Sequence, residues 1–337
     1  MSSVRTVPET GLMSGEELSA DEAWDTVRRH GSWSLVRDAF LRFRYGDGFS
    51  HARGFALQLA LAAVPLVIAG AGLSTALGGE SFGEVIARTV VAISPGSSDA
   101  LVQDAVAGGV EGPDGDEDDV GELAVTLGLL TAFLALTTAF AQLERGANRI
   151  YGTKRDRPAL RKYARAAVLT ATAGVALAVG LLLIVAGEPF GEAIEVVYDW
   201  GDVAEEIWDV VRWPVGLLAL VVAVTVLFKY APRRRQPGLT WLGVGAAVTV
   251  LGWLVGSSLL ALYVAQSGSF DDTYGPLTAV IALLLWANVT GVALLGGVAL
   301  AAQLEAVRAG LHDPLLPDSD DDGIPDLLDE HPDSPRR

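Results

Sequence analysis

Residues 166–187 read AAVLTATAGVALAVGLLLIVAG, a run of 22 residues that contains no charged side chain. An α-helix rises about 1.5 Å per residue and the hydrocarbon layer of a bilayer is about 30 Å thick, so roughly 20 apolar residues cross it. A helix of this length on the surface of a soluble protein would carry charged residues on one face. The run therefore predicts a transmembrane helix.

The same signal recurs along the chain. Uncharged runs also cover residues 54–79, 123–143, 213–228, 236–270 and 273–304. The run at 213–228 is the shortest, but Arg212 and Lys229 can extend their charged ends to the two interfaces, which lengthens the span. We therefore predict an all-α fold, a polytopic membrane helix bundle with six transmembrane helices, at about 54–78, 122–143, 165–187, 212–231, 239–265 and 274–303.

The spans divide the chain into an amphipathic N-terminal segment (1–52), a membrane domain (53–305) and an acidic tail (306–337). Basic segments are retained on the cytoplasmic side of a membrane. Of the 24 Lys and Arg residues, 22 fall in residues 1–53, 144–165, 229–238 and 305–337. This distribution predicts a plasma-membrane protein with both termini in the cytoplasm and three acidic loops outside.

Composition limits the chemistry and indicates an environment. The chain has no cysteine, which excludes disulfides and thiolate sites. Its formal net charge is −17, and only three of its 24 basic residues are lysines. In concentrated salt the Debye length falls to a few ångströms, so repulsion among carboxylates costs little. An acidic excess with scarce lysine is similar to proteins of salt-loving archaea, and we expect such an origin.

The N-terminal segment combines aromatic and aliphatic residues with arginines at helical spacing between Trp24 and Arg44. This pattern predicts one or two basic amphipathic helices. Two placements are open. The helices could rest on the anionic inner leaflet, or they could pack against the cytoplasmic loops.

Polar residues deep inside the spans are amides and hydroxyls, and charged side chains occur only at the ends of the predicted spans. Asn288 lies near the middle of the last run, where an unpaired amide costs roughly 1 to 2 kcal/mol or more. We expect it to make an interhelical hydrogen bond that fixes the helix register, or to lie on a substrate path. Gln58 and Thr290 are candidates for the same two roles.

Proline and glycine mark further positions of interest in the spans. Pro65 removes a backbone donor and frees the carbonyl of Leu61, so the first helix is expected to kink or break there. Broken helices often line transport sites, although such a kink can equally be architectural. Gly252 and Gly256 on the fifth span and Gly296 on the sixth are expected to let helices approach closely.

The inventory of reactive side chains argues against an enzyme. The four histidines, His30, His51, His312 and His331, lie towards the two ends of the sequence and show no nucleophile or metal-ligand spacing. The basic residues in the segment 144–165 are explained by the retention of basic loops on the cytoplasmic side, so no nucleic-acid partner is expected. We predict a non-enzyme without a cofactor, apart from the calcium ion considered next.

The tail carries one specific pattern, D-x-D-x-D-G-x-x-D-x-x-D, formed by Asp318, Asp320, Asp322, Gly323, Asp326 and Asp329. It resembles the calcium-binding thrombospondin type 3 repeat and the spacing of an EF-hand loop, in which glycine permits a sharp turn and alternate acids converge on the ion. Pro325 departs from the EF-hand pattern, as does Asp329 in place of a bidentate glutamate. We expect weak calcium binding, with a solvated acidic tail as the alternative.

Three motifs follow one another between about residues 35 and 308. They are GFA at 54–56 leading to Pro65, GANRIY at 146–151, and YGPL at 274–277 followed by LLW at 284–286. In this order they resemble the YihY/BrkB family of bacterial and archaeal membrane proteins, long mislabelled as ribonuclease BN. The resemblance implies a membrane location and adds Asn148 to the residues of a substrate path or helix packing. The long acidic first outer loop and the tail depart from the family pattern.

The resemblance implies no settled activity. The leading hypothesis is a transporter or exporter of lipid or small solute, and the alternative is a non-catalytic membrane scaffold for envelope partners, with a ribonuclease a distant third. A polar cavity that reaches Asn288 and Pro65 would favour transport, and a solid bundle with a surface groove would favour scaffolding. The lipid bilayer is the expected partner, while the substrate and any homo-oligomer are left open.

The predicted topology can be tested with single cysteines, because the natural chain has none. Cysteines at Ser97 and Ser269 should react with an impermeant thiol reagent in intact cells, whereas cysteines at Thr153 and Ser334 should react only after lysis. Labelling of Thr153→Cys from outside would contradict the topology.

Overall fold

The computed structural model describes residues 4–10, 18–76, 117–153, 156–185, 187–199, 201–266 and 278–317. Helices account for most of these residues: α1 (Ala20–His30), α2 (Ser32–Tyr45), α3 (Gly48–Ala76), α4 (Glu117–Ile150), α5 (Ala159–Leu169), α6 (Val175–Val185), α7 (Gly187–Tyr198), α8 (Asp202–Tyr230), α9 (Leu239–Gln266) and α10 (Thr278–Arg308). A π-helical turn, Thr170–Gly174, joins α5 to α6. The all-α prediction is confirmed.

Five helical segments within these ranges are long and apolar enough to cross a membrane: Val125–Ile150, Ala159–Ile184, Val203–Tyr230, Leu239–Val264 and Val280–Arg308. The helix of the fourth predicted span is much longer than its uncharged run, because α8 already begins at Asp202 and has 29 residues. Helix α3 also has 29 residues and packs along α4. Its role as a sixth span stays a prediction.

The outer surface of the bundle is apolar. Exposed aliphatic residues recur three or four positions apart, so those of each helix lie on one face. They include Leu57, Leu61 and Val64 on α3, Leu127, Leu130 and Leu134 on α4, and Leu251, Val255 and Leu259 on α9. Soluble monomers rarely expose apolar patches of this extent, whereas lipid tails accommodate them. The helices therefore form a membrane-embedded bundle.

The long helices form a closed ring. Its order is α3, α4, the rod made by α5, the π-turn and α6, then α8, α9 and α10, which returns to α3. The short helices α1 and α2 lie at one end of the ring against α9 and α10. The N-terminal residues also contact the residues that follow α10, because the backbone N–H of Arg5 donates to Pro314 O at 2.9 Å. We call this the basic end, since the described parts of the four basic segments lie here.

Close approach of α9 and α10 depends on glycines, although not on all of those expected. A Cβ at Gly256 would lie 2.8 Å from Val289 Cγ1, but a Cβ at Gly252 or Gly296 would meet no atom within 4 Å. The tight position on α10 is instead Gly297, where a Cβ would overlap Thr249 and lie 2.9 Å from Phe228 Cζ. Adjacent helical residues point about 100° apart, so the sequence pattern could not distinguish the two neighbours.

These adjacent glycines provide a matched pair for a stability test. Gly297→Ala should destabilise the protein by about 2 kcal/mol or more, because Thr249 is buried and its hydroxyl is bonded to Gly245 O. Gly296→Ala should be neutral or stabilising by up to about 1 kcal/mol, because alanine is the better helix former. Thermal unfolding in detergent measures both, and equal effects would contradict the packing.

Candidate functional site

A cavity of about 150 Å³ lies inside the ring of helices and is partly open to the outside. Every member of the ring contributes to its wall, through residues that include Phe55, Phe140, Leu177, Leu220, Trp253 and Trp286. Apolar cavities of this size stay dry and accept small apolar ligands. The cavity is therefore the first candidate for a binding site.

Thr249, Trp253 and Thr290 line the cavity with polar side chains that already make hydrogen bonds within the protein. Trp253 Nε1 donates to Thr290 Oγ1 at 3.0 Å, and Thr290 Oγ1 donates to the carbonyl of Trp286 at 2.9 Å. Thr249 Oγ1 donates to Gly245 O at 2.8 Å. These groups are therefore engaged by the protein itself, and an incoming molecule would meet an essentially apolar wall.

The π-helical turn brings a glycine to this wall. Such turns insert an extra residue into a helix and are frequent at functional sites. Gly174, the last residue of the turn, lines the cavity, and a Cβ there would lie 3.1 Å from Phe140 Cε2. At the start of the turn, Thr170 Oγ1 accepts a 3.4 Å hydrogen bond from Thr137 Oγ1 of α4. The turn is thus held against α4 at its beginning.

Beyond the turn, the rod leaves α4. Helix α5 and the π-turn pack against α4, whereas α6 packs mainly against α8. Leu136 of α4 and Ala178 of α6 both line the cavity, and Ala178 is exposed. Among the described helices, the ring is therefore loosely closed between α4 and α6, in the half of the bundle away from the basic end.

Of the predicted site residues in the spans, only Thr290 lines the cavity. Asn288 lies two residues earlier on α10 and is half-buried outside the cavity wall. The two positions point in different directions because they are about 200° apart on the helix.

Gln58 and Pro65 lie where α3 meets α4. Gln58 Oε1 accepts a 2.7 Å hydrogen bond from Thr138 Oγ1. Helix α3 continues through Pro65 without a break, and the carbonyl oxygen of Pro65 would lie only 2.7 Å from a Cβ at Gly128. The first helix therefore does not break at Pro65, while a kink there stays a prediction, and both residues lie where α3 packs on α4.

The predicted calcium ligands, Asp318, Asp320, Asp322, Asp326 and Asp329, lie outside the described residues. Within the described ranges, no group of three or more His, Asp and Glu side chains is close enough to hold a metal ion. Weak calcium binding by the tail stays a prediction.

A second feature is a buried polar network at the basic end. Arg42 of α2 is fully buried; its Nε donates to Gln303 Oε1 at 2.9 Å, and its Nη1 donates to the carbonyls of Arg5 at 2.9 Å and Ile150 at 3.2 Å. Burial lowers the pKa of Arg42 to about 10. The guanidinium therefore remains charged at neutral pH and connects the N-terminal residues, α2, α4 and α10.

Arg234 and Glu305 form the ion pair of this network. Arg234 Nη1 lies 2.8 Å from Glu305 Oε2, and both side chains are almost completely buried. Tyr151 OH donates to Glu305 Oε1 at 3.1 Å, and the Arg234 guanidinium lies over the Tyr151 ring, 4.4 Å from its centroid. Burial, reinforced by the nearby Glu305 charge, raises the pKa of Tyr151 well above its usual value, so the phenol remains a donor.

Asn148, which the family resemblance singled out, belongs to a neighbouring part of the basic end. It lies in the last turn of α4 and is fully buried. Its Nδ2 donates to Asp156 Oδ1 at 3.0 Å, and its Oδ1 accepts from the backbone N–H of Arg233 at 2.7 Å. Asn148 thus joins the α4–α5 and α8–α9 connections and does not line the cavity.

Sequence reasoning missed the buried carboxylates at this end. Glu144, which pairs with Arg157 at 2.9 Å, and Glu305 each follow directly after an uncharged run, so the run lengths place them just beyond a span. The helices instead continue past them, to Ile150 and Arg308. The sequence did contain a signal for burial of these carboxylates. Each of them is followed within one helical turn by further helical residues, and each lies close to a segment rich in arginine.

Arg42 and Arg44 allow a controlled test of the network. Arg42→Leu should destabilise the protein by about 3 kcal/mol or more, because Gln303 Oε1 and the carbonyls of Arg5 and Ile150 would stay buried without their donor. Arg44→Leu, two positions away and exposed, should change stability by less than about 0.5 kcal/mol. Thermal unfolding in detergent decides, and a silent Arg42→Leu would refute the role given to the network.

Comparison with known proteins agrees with this architecture. The chain matches the family model described as virulence factor BrkB over residues 39–321. It is 24% identical over 173 residues to the Bacillus subtilis (strain 168) protein named "Putative ribonuclease-like protein YfkH", an overlap of 51% of this chain and 62% of that protein. No solved structure matches the chain. The family match spans α3 to α10, so this chain belongs to the BrkB family of membrane proteins, as its ordered motifs predicted.

Proposed function

We propose that this protein is a lipid transporter or exporter whose central cavity receives part of a hydrocarbon chain. The polar cavity expected at Asn288 and Pro65 is not found among the described residues, and the observation that carries the proposal is instead the apolar cavity lined by all members of the helix ring. A polar solute would find no free hydrogen-bond donor at Thr249, Trp253 or Thr290, because each N–H or O–H of these side chains already donates within the protein. Of the two substrate classes that the sequence left open, the wall therefore favours lipid over small polar solute.

The size of the cavity bears on how a lipid would bind. Pockets that enclose a drug-sized molecule have volumes of about 300 to 1,000 Å³, and this cavity has about 150 Å³. It can hold only part of an acyl chain. The remainder of the lipid must stay outside the ring, and the loosely closed side between α4 and α6 gives it a route to the bilayer.

The driving force cannot be removal of the chain from water, because a lipid tail is already in an apolar environment. Filling an empty cavity, however, restores dispersion contacts that its wall lacks. At about 24 cal/mol per Å³, a cavity of this size corresponds to roughly 3 to 4 kcal/mol. That is enough for a weak, reversible site, which suits a substrate that must also leave.

The remaining parts of the proposal follow the sequence. The chain would act in the plasma membrane through six spans, with the basic end and both termini in the cytoplasm. It would act without a catalytic step, a cofactor or a nucleic-acid partner. Although the Bacillus relative is named as ribonuclease-like, this proposal assigns no nuclease activity to the chain.

Filling the cavity should abolish transport. Ala293→Phe and Ala178→Phe add a ring to the deep wall and to the wall beside α4, whereas Ala261→Phe adds the same ring to the exposed surface of α9. In vesicles containing the purified protein, the first two variants should lower translocation of a fluorescent phospholipid by about tenfold or more, a loss of about 1.4 kcal/mol. Ala261→Phe should behave as the parent protein does.

A second measurement separates binding from movement. A phospholipid with a photoreactive acyl chain should label α4 and α6 in the parent protein and lose this labelling in Ala293→Phe. Labelling without translocation would indicate a lipid-binding scaffold. If the folded parent protein shows neither labelling of α4 and α6 nor translocation of the phospholipid, the proposal is contradicted.

A further inference from the structure

Helix α2 has two faces, and only one is used by the bundle. Leu35, Asp38, Ala39, Arg42 and Phe43 are buried. The opposite face leaves Trp33 81%, Val36 53% and Phe40 51% exposed, and these positions follow the spacing of one helix stripe. An apolar stripe that remains exposed after the helix has packed needs a partner of its own.

This stripe continues onto the lipid-facing surface of α3. Phe40 of α2 contacts Phe49 of α3 edge-to-face, with ring centroids 6.5 Å apart. Phe49 begins an exposed row on α3 that continues through Arg53, Leu57 and Leu61, four residues apart. Leu57 and Leu61 belong to the apolar exterior of the bundle, so the α2 stripe extends a surface that already faces lipid.

Arginines flank the stripe. Arg37 is 65% exposed and also pairs with the buried Asp38 at 2.9 Å. Arg44 and Arg53 are exposed as well, and Asp47 is the exposed acid between them. Aromatic and aliphatic residues with arginines beside them match the boundary between acyl chains and headgroups, where anionic phosphates attract basic residues.

We propose that the exposed face of α2 is an interfacial anchor that binds anionic phospholipid. Trp33, Val36 and Phe40 enter the boundary region about 5 to 10 Å deep, and Arg37 and Arg44 contact the lipid phosphates. The buried face of the same helix meanwhile fixes it to the bundle through Arg42. This anchor is independent of the transport proposal, since it needs neither the cavity nor movement of a substrate.

Depth can be measured with one label, because the chain has no cysteine. The full-length Val36→Cys variant carries a fluorophore and is reconstituted in vesicles that contain brominated phospholipids. The matched control is Asp25→Cys, an exposed position on α1. We expect strong quenching at position 36 and little at position 25. Equal quenching at the two positions would overturn the proposal and would leave a second copy or a soluble protein as the occupant of the stripe.

Lipid charge is tested with the same label. Quenching by brominated phosphatidylglycerol relative to brominated phosphatidylcholine gives the preference for anionic lipid at position 36. Each arginine near an anionic surface contributes up to about fivefold, so Arg37→Gln with Arg44→Gln should reduce the preference by up to about 25-fold. Arg235→Gln, which removes an exposed arginine from the α8–α9 connection, should leave it unchanged.

Folding is checked on the same samples. The double arginine variant should still fold, because both arginines are exposed and the buried Asp38, which loses Arg37, keeps His30 Nε2 as a partner at 3.4 Å. Elution and thermal unfolding in detergent check this. If the folded double variant keeps the full preference for phosphatidylglycerol, the role given to Arg37 and Arg44 is refuted. Both measurements, the quenching at position 36 and the preference for phosphatidylglycerol, are independent of transport. They would be unchanged if the cavity variants lost lipid translocation or if the parent protein showed none.

Discussion

The buried ion pair between Arg234 and Glu305 is the interaction on which the rest of the structure depends. Removing two charges from water costs several kcal/mol per ion, and the cost is recovered only while the partners stay in contact. Tyr151 and the carbonyl of Pro8, which accepts from Arg234 Nη2 at 2.6 Å, complete the arrangement. The N-terminal residues, the end of α4, the α8–α9 connection and α10 are therefore held as one block at the basic end.

A fixed block at one end determines where the ring can open. Around the π-turn, the helices are held together by a few hydroxyl hydrogen bonds and by dispersion contacts. Beyond the turn, α6 packs mainly against α8 and not against α4. Separating such surfaces breaks no charge pair, whereas parting the basic end would leave Glu305 or Arg234 unpaired in a buried site. Access to the cavity is therefore expected from the side, between α4 and α6, and from the half of the bundle away from the charges.

The sequence predicted the features that depend on local signals and missed those that depend on distant partners. Uncharged runs identified the membrane helices because the length of a run is itself the physical requirement. The partner of Glu305 could not be predicted, since Arg234 lies 71 residues away and many arginines compete for the same role. The π-turn, with sequence TATAG, has no distinctive composition. The cavity arises only where side chains from the whole ring fail to fill the centre, so no single span could reveal it.

The polar groups of the cavity wall also limit what kind of selectivity it can have. Because Trp253 and Thr290 bond to each other and to the backbone, a ligand could bond to them only by displacing a hydrogen bond worth about 1 kcal/mol. In the proposed function, the cavity would therefore discriminate lipids by chain shape but not by headgroup, and discrimination by headgroup would occur at the membrane surface. Helix α2 is suited to couple the two regions, since its 14 residues place Arg37 and Arg44 at the surface and Arg42 inside the network that closes the basic end.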